Sequence, residues 1–368
     1  MPEWIFNDED KGYPAAASSQ SLEGDNLDTE NIFVREAIQN AYEAHDKEFD
    51  DPVKIKISKF SLDGNEKEKF VSNFELEVIK DMSEKFDEEK FPGYFDKGKK
   101  ILKNLSNLNE PIKILSIEDY NTIGLKGHWR GPVKDSDKNF YSLVFGFYRS
   151  DKSDGNNLGS YGAGSQFFAK SSDLKTAIYY TVIKEKNSPE TDVYSRAIGK
   201  GLFPEFPLED KEGPVYDNNG FGYFGKPKEA TSKVDASPLN NEEAFNWIES
   251  MGLPTRSKNE VGTSIFIIGC DFSIADIENA IARNWWPLWY RERQKPPLIT
   301  LQDEKGNQSE FNIFDKKFSY LQPFMQCYKV ANGLDNEDFK KEKIICNSRD
   351  AGIVSYTKNT KITDEIFK

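Results

Sequence analysis

The chain has 368 residues, with 49 Lys and Arg against 62 Asp and Glu, and a formal net charge of −13. That acidic balance argues against nonspecific nucleic-acid binding by the whole surface, although a local basic groove is compatible with it. The hydrophobic share is only 37%, yet 27 Phe, 16 Tyr and 6 Trp supply bulk for a core, which excludes a mostly disordered chain.

In chain order, residues 1–26 are polar and carry Gly and Ser, and read as an N-terminal arm or strap. Asp28 or Thr29 is placed to cap a helix running from 31 to about 47. Residues 53–58 alternate Val-Lys-Ile-Lys-Ile-Ser and predict a strand. Residues 61–110 are highly charged; they read as an insertion, with helices on a solvated surface over 81–105. A second strand is expected at 112–117, delivering Asp119 near its C-terminal end. Residues 125–158 are rich in Gly, Asp, Ser and Lys, with an aromatic helical stretch at 139–148. A glycine run then opens a short apolar helix at 165–169. Further strands are expected at 177–183 and 263–268, and between them 201–240 reads as a long Gly- and Pro-rich excursion of surface loops. Residues 241–251 and 274–289 predict helices, the second ending in Trp285-Trp286-Pro287-Leu288-Trp289, a cluster expected to pack a core rather than stack bases. Residues 291–297 read as a linker, 304–307 as a hairpin turn, and 351–356 as a strand in a small second module. There are no internal repeats.

Cys270, Cys327 and Cys346 are widely spaced without a C-x-x-C, and there are two histidines, so reduced thiols are expected and a zinc site is not. Met1-Pro2-Glu3-Trp4 lacks the basic region and apolar run of a signal peptide, and runs such as Ile265-Phe266-Ile267-Ile268 are too short to span a bilayer. A cytoplasmic protein without membrane contact is the expectation.

The chemistry-bearing stretch is Arg35-Glu36-Ala37-Ile38-Gln39-Asn40-Ala41-Tyr42-Glu43-Ala44. Positions i and i+4 share a helix face, so Glu36 and Asn40 point into one pocket. A carboxylate can accept a proton from water, and an amide oxygen can ligate a hard cation. Two more segments follow: Glu118-Asp119-Tyr120-Asn121-Thr122-Ile123-Gly124 and Gly159-Ser160-Tyr161-Gly162-Ala163-Gly164. A fourth element is Gly262-Thr263. Each alone is a weak signal: a solvated pair, a turn former, a flexible turn and a strand Thr.

In this order the segments resemble the GHKL ATPases, the group that includes gyrase, MutL, histidine kinases and the large heat-shock chaperones. The resemblance spans about 28–290. It implies an α+β fold, the Bergerat ATP-binding sandwich of a mixed β-sheet covered by helices. It divides the chain into an arm at 1–26, an ATPase domain at 27–292 with an ATP lid at about 125–164, and the start of a second, transducer-like and truncated α/β module at 293–368. It implies ATP and Mg²⁺ as ligands and slow ATP hydrolysis driving lid closure and nucleotide-dependent homodimerisation. Glu36 takes the position of the general base and Asn40 that of the Mg²⁺ ligand. Glu43 stands where the family commonly has Asp near the nucleotide. Asp119 takes the position of the adenine reader, accepting from the N6 amine that guanine lacks.

The chain departs from the family's D-x-G-x-G: Asn121 stands at the first glycine, Ile123 at the second, and Gly124 one residue later. Asn tolerates positive φ, so the turn survives. Gly159, Gly162 and Gly164 match the glycines that let backbone N–H groups approach phosphates. Ser165 replaces the lysine that some relatives carry there, so a basic contact is sought in Lys126, Arg130 or Lys170. Thr263 matches the residue whose hydroxyl helps hold adenine.

Glu118-Asp119-Tyr120, Gly124-Leu125-Lys126-Gly127 and Asn284-Trp285-Trp286-Pro287 further resemble bacterial stand-alone members, several from anti-phage defence clusters. A nucleotide-dependent binding or sensor module with little hydrolysis is the alternative. A histidine kinase is not favoured, because His45 and His128 both lie inside the ATPase module, and the tail lacks the metal-ligand cluster of a MutL-like nuclease. A partner protein is expected; DNA has no support from the net charge.

Overall fold

Alternation along residues 112–120 builds the centre of the molecule. In the computed structural model Ile112 and Ile114 enter one core, while Leu115 and Ile117 enter another on the opposite face of the same sheet. Successive side chains of a strand point to opposite faces, so a strand buried on both sides needs apolar residues at both parities. The structure describes residues 2–8, 15, 28–48, 50–130, 139–146, 164–184, 193–208, 216–227, 236–290, 295–333, 339–346 and 349–357.

The strands are β1 (Glu3–Asp8), β2 (Lys54–Leu62), β3 (Ile112–Tyr120), β4 (Thr176–Val182), β5 (Ser195–Leu202), β6 (Phe206–Leu208), β7 (Tyr216–Pro227), β8 (Ala236–Ser237), β9 (Leu239–Asn240), β10 (Gly262–Ile268), β11 (Leu298–Gln302), β12 (Gln308–Glu310), β13 (Phe339–Cys346) and β14 (Arg349–Thr357). The main sheet has the order β1-β7-β5-β4-β10-β3-β2-β11-β12, with β6 and β8 on β7 and β9 on β5. Its described pairings are antiparallel except β11 with β2, which is parallel. The helices are α1 (Thr29–Glu43), α2 (Gly64–Asn73), α3 (Leu76–Ser83), α4 (Asp96–Lys103), α5 (Asn139–Val144), α6 (Gly164–Lys170), α7 (Asn241–Ser250), α8 (Ile274–Trp285) and α9 (Gln322–Ala331). This is an α+β fold with a large mixed sheet covered by helices.

One face of the sheet is covered by α1, α5, α6 and α8. Their Phe33, Ile38, Phe140, Phe168 and Ile281 pack on Ile55, Ile57, Leu115, Ile117 and Ile265. Asn284 Nδ2 donates to Asn31 Oδ1 at 2.9 Å and ties α8 to α1. The other face is covered by α2, α3, α4 and α7, through Phe70, Phe74, Ile79, Leu102, Trp247 and Ile248.

Several expectations change here. Residues 61–110 are not a solvated insertion: Phe70, Phe74, Leu76, Ile79, Phe86, Phe95, Leu102 and Leu105 are all buried. At ~1.5–3 kcal/mol for each fully buried large apolar side chain, this segment supplies much of one core. Lys67 shows why charge misleads, since its buried ammonium donates to the carbonyls of Asn104, Asn107 and Glu110 at 2.7, 2.8 and 2.7 Å. The described residues of the excursion 201–240 are also largely sheet: β7 pairs with β1, β5, β6 and β8. Its glycines are packing positions; a Cβ on Gly222 would come within 2.9 Å of the Phe6 ring.

The arm begins as a strand, because Trp4 is buried and its indole N–H donates to the Phe74 carbonyl at 2.9 Å. The break at 292/293 is not a break in the sheet, since Leu298–Gln302 pairs with β2, and Ile299, Leu301, Phe311 and Ile313 join the core beneath α1. Beyond it, β13 and β14 form a separate two-stranded sheet. The helix expected over 274–289 ends at Trp285 and continues as a 3₁₀ turn over Trp286–Tyr290, where Leu288 is buried and Trp286 meets Tyr328 edge-on at 5.6 Å, a core role for the tryptophan cluster. The expected hairpin at 304–307 forms, with Asp303 Oδ1 accepting from the Lys305 and Asn307 N–H groups and Gly306 at φ 83°. Among the described residues no helix is long and apolar enough to cross a membrane.

Candidate functional site

Strand parity places the polar residues. Leu115, Ile117, Tyr179, Ile265 and Ile267 face α1, so Asp119 and Thr181, two residues after Ile117 and Tyr179, and Thr263, two before Ile265, share that face. Thr263 is paired with Thr181 across β10 and β4, and Asp119 stands beside it on β3. Asp119 Oδ1 accepts the Thr263 N–H at 3.1 Å and the Thr122 hydroxyl. Among the described residues no donor reaches Asp119 Oδ2. Thr181 Oγ1 donates to the Gly262 carbonyl at 3.0 Å, accepts the Leu125 N–H at 2.9 Å and lies 3.3 Å from Thr263 Oγ1.

Two glycines hold this corner open. A Cβ on Gly262, where φ is +146°, would lie 2.1 Å from the Asp119 carbonyl oxygen; one on Gly124, where φ is +66°, would lie 2.4 Å from the Val182 carbonyl oxygen. The turn after Asp119 therefore keeps its shape despite the missing glycines. Asn121 adopts φ 61° and donates from Nδ2 to the Pro52 carbonyl at 2.8 Å, while Gly124 supplies the close approach to β4.

Burial pushes the Asp119 carboxyl above the usual carboxylate range, and the nearby Glu118 adds to this; the Arg256 charge, the Thr122 hydroxyl and the Thr263 N–H pull it back. Arg256 is itself buried. Its Nε donates to Ser264 Oγ at 2.7 Å, its Nη2 to the Thr263 carbonyl at 2.7 Å, and its Nη1 to the Glu260 carbonyl at 3.3 Å.

Helix α1 brings the other residues. Phe33, Val34, Ala37, Ile38 and Ala41 form its buried stripe, with Glu36 and Asn40 half-buried along the margin, one turn apart. The C-terminal turn of α1 is stitched to the turn after Asp119: Ile123 N–H donates to the Ala44 carbonyl at 2.9 Å, Asp46 N–H to the Asn121 carbonyl at 3.1 Å, and His45 bridges Thr122. Glu43 is on the exposed side of α1, where it accepts from Gln39 Nε2 at 2.9 Å, and Arg35 is exposed.

Gly164 is the first residue of α6, which packs on α1 through Phe168 and Phe33 with ring centroids 6.1 Å apart. Gly159 and Gly162 lie outside the described residues. So does much of the expected lid, but its described parts bury apolar surface: Trp129, Phe140 and Val144 are in the core, and Arg196 Nη1 donates to the Gly127 carbonyl at 2.8 Å. Of the basic candidates, Lys170 lies over the Phe167 ring at 5.6 Å and Arg130 over the Trp129 ring at 4.6 Å. On α6, Gln166 is 1% exposed, and among the described residues neither its amide oxygen nor its amide nitrogen has a hydrogen-bond partner. Buried orphan groups are rare in folded proteins.

The structure thus brings Asp119, Asn121, Gly124 and Thr263 together and sets Asn40 and Glu36 on the helix stitched to them, with Glu43 turned outward. Sequence reasoning missed Thr181 and Arg256. Thr181 was the one polar residue facing α1 in an apolar strand pattern, a faint signal; Arg256 sits in a loop and had none. Chemically, the corner offers an open carboxylate oxygen beside two hydroxyls, with glycines clearing the approach: an acceptor for a ligand N–H. Among the described residues no three of His, Cys, Asp and Glu gather as a metal-binding group. No protein-family model matches the chain, and no curated protein matches it.

Proposed function

We propose that this chain is an ATPase of the GHKL kind, which binds an adenine nucleotide on the α1 face of the sheet and hydrolyses it slowly. The observation that carries the reading is one juxtaposition. Asp119, Thr263 and Thr181 form a polar corner on the same sheet face as the helix bearing Glu36 and Asn40, and the end of that helix is bonded to the turn after Asp119. At 1.5 Å per residue, Asn40 lies ~6 Å and Glu36 ~12 Å along α1 from the Ala44 stitch. That graded distance suits a base at Asp119 and phosphates further along the helix.

The donor set fits the nucleotide. Asp119 Oδ2 accepts from the exocyclic amine of adenine, and Asp119 as a carboxylate disfavours guanine, whose carbonyl oxygen stands at that position. Asn40 Oδ1 is a suitable ligand for Mg²⁺, with the nucleotide's own oxygens and water as the rest. Bound there, Mg²⁺ would neutralise charge on the phosphates. Glu36 orients and polarises the attacking water. Gln166, whose amide atoms have no partner among the described residues, is available to a ligand held against α6.

In this reading nucleotide binding closes the segment between Leu125 and Gly164 and drives self-association, and a protein partner takes the output, with bacterial defence as the setting. The deciding experiment is calorimetry with Mg·ATP and Mg·GTP, combined with phosphate release by wild type and Glu36→Ala. Preferential ATP binding with turnover lost only in Glu36→Ala supports the ATPase. ATP binding without turnover in wild type leaves a nucleotide-dependent binding module, and equal affinity for both nucleotides removes Asp119 from base recognition.

A further inference from the structure

Arg256 approaches the Asp119 corner from the other side of the sheet. It hydrogen-bonds Ser264 Oγ, on the face opposite Thr263, and its guanidinium lies 4.3 Å from the centroid of the Tyr120 ring, on the face opposite Asp119. It reaches round the start of β10, where Gly262 leaves room. The position a Cβ would take at Gly262 is 2.7 Å from Arg256 Nη1 and 2.9 Å from Asp119 Oδ1. Cation and carboxylate therefore converge on one spot that only a glycine leaves clear. The same guanidinium fixes the strand that contacts Asp119, because Nη2 holds the Thr263 carbonyl while the Thr263 N–H holds Asp119 Oδ1.

We propose that Arg256 is the positioning residue for base recognition: acting through the gap at Gly262, it keeps Asp119 an oriented acceptor for the adenine amine. This rests on the reading of Asp119 as the base-binding residue. Arg256 also borders open space on the far face. It lines a cavity of about 170 Å³ on the far face with Tyr180, Val182, Tyr194 and Phe245, whose rim of Glu242, Ser257 and Lys258 is exposed.

The other groups around Asp119 are accounted for. Glu118 and Tyr120 on its own strand bond each other at 2.8 Å, and Lys56 on β2 faces Glu118 at 4.0 Å. Glu260 accepts the Ser257 N–H at 2.8 Å. At the end of α1, His45 contacts the Asp51 carbonyl oxygen through Nε2 at 3.0 Å and Asp46 is paired with Lys184 at 2.5 Å. Arg256 is the cation whose charge opposes the burial of Asp119.

The test uses the full chain with wild type, Arg256→Met and Arg256→Lys. The ratio of ADP to GDP affinity is followed from pH 5 to 8, because the ratio cancels titration of the phosphates themselves. Arg256→Met should lower the ratio by about tenfold at pH 7 and move its fall to higher pH, since losing the cation leaves Asp119 protonated further up the scale. Guanidinium chloride at low millimolar concentration, entering the vacated cavity, should restore part of the preference. If Arg256→Met does not fold, Arg256→Lys carries the test: its charge stands further from Asp119, so its fall should also move to higher pH. A ratio and profile identical to wild type in a folded variant would overturn the proposal, as would a loss of ADP and GDP affinity in equal measure.

A readout without nucleotide separates the two layers of argument. The ¹³C shift of the Asp119 carboxyl, titrated in wild type and variant, should show a higher midpoint when Arg256 is replaced. An unchanged midpoint overturns the role of Arg256. A shifted midpoint in a protein with no adenine preference overturns instead the function assigned to Asp119.

Discussion

The Ile123 N–H donates to the Ala44 carbonyl at 2.9 Å, joining the last turn of α1 to the turn that leaves Asp119. Through that bond, a helix carrying a candidate base and a candidate metal ligand is held in register with a strand carrying a candidate base reader. Binding and chemistry are then separable by mutation, because different elements carry them.

Asp119→Asn keeps the shape of the side chain but removes its charge and places a donor where Asp119 has only acceptors. ATP binding should weaken by ~1.5–3 kcal/mol, the size of a charge-assisted hydrogen bond, with GTP affinity unaffected or improved. Calorimetry with both nucleotides reads this directly; an equal loss for both would point to a structural role.

Glu36→Ala should preserve ATP affinity and lower turnover by roughly 10²-fold, as for loss of a general base. Asn40→Ala should instead make ATP affinity insensitive to Mg²⁺. Phosphate release and Mg²⁺-dependent binding measured on the two variants should give opposite patterns, and a shared pattern would mean that the two residues do not divide the work.

Gly262→Ala places a methyl group where the Asp119 carbonyl oxygen is 2.1 Å away, at φ +146°. The variant should lose at least ~2 kcal/mol of stability from strain and overlap, and any folded fraction should bind ATP poorly because Asp119 has been displaced. Gly306→Ala is the control: it has positive φ but nothing within 4 Å, and should cost less and leave binding intact. Urea unfolding with and without nucleotide distinguishes the two.

Lys200 is buried on β5 between Ala177 and Tyr223, and burial pushes its amine down to about 7. An unfolded lysine keeps its proton up to about pH 10.4. Between about 7 and 10.4 the unfolded chain therefore holds one proton more than the folded chain, and stability rises with pH across that window. Lys200→Met should stabilise the fold at pH 7 by roughly 2–4 kcal/mol, and the gain should shrink toward pH 10. A gain independent of pH would show that the ammonium is not the source of the cost.

Elements with one clear period were legible: α1, β2, β3, β4, β10, α7 and the 303–307 hairpin lie close to where their patterns put them. The errors share a physical cause. Charged surface residues in α2–α4 masked the Phe and Leu positions beneath them, and Lys67 is a charge that goes inward because three carbonyls receive it. Gly222 and Gly225 made β7 read as loop, although these glycines are strand positions crowded by the Phe6 ring and the Ser237 carbonyl. The site was legible where residues are close in sequence, as with Glu36 and Asn40 or Asp119 to Gly124. Thr181 reaches it only through the pairing of β4 with β10, and Arg256 only from a loop whose side chain bonds to β10, and no local pattern encodes either.

The parallel strand β11 governs how the chain can be cut. Ile55 pairs with Asp119 on one side and with Ile299 on the other, so β11 lies only two strand spacings, ~10 Å, from the base corner. A recombinant fragment ending at 292, the natural choice from the linker-like run 291–297, would leave β2 as a raw edge of unpaired N–H and C=O groups, with Ile55 and Ile57 stripped of a neighbour. Such a fragment should self-associate by edge pairing, and its oligomers would be mistaken for nucleotide-driven dimers. Expression boundaries placed after Gly333, beyond α9, keep that edge closed.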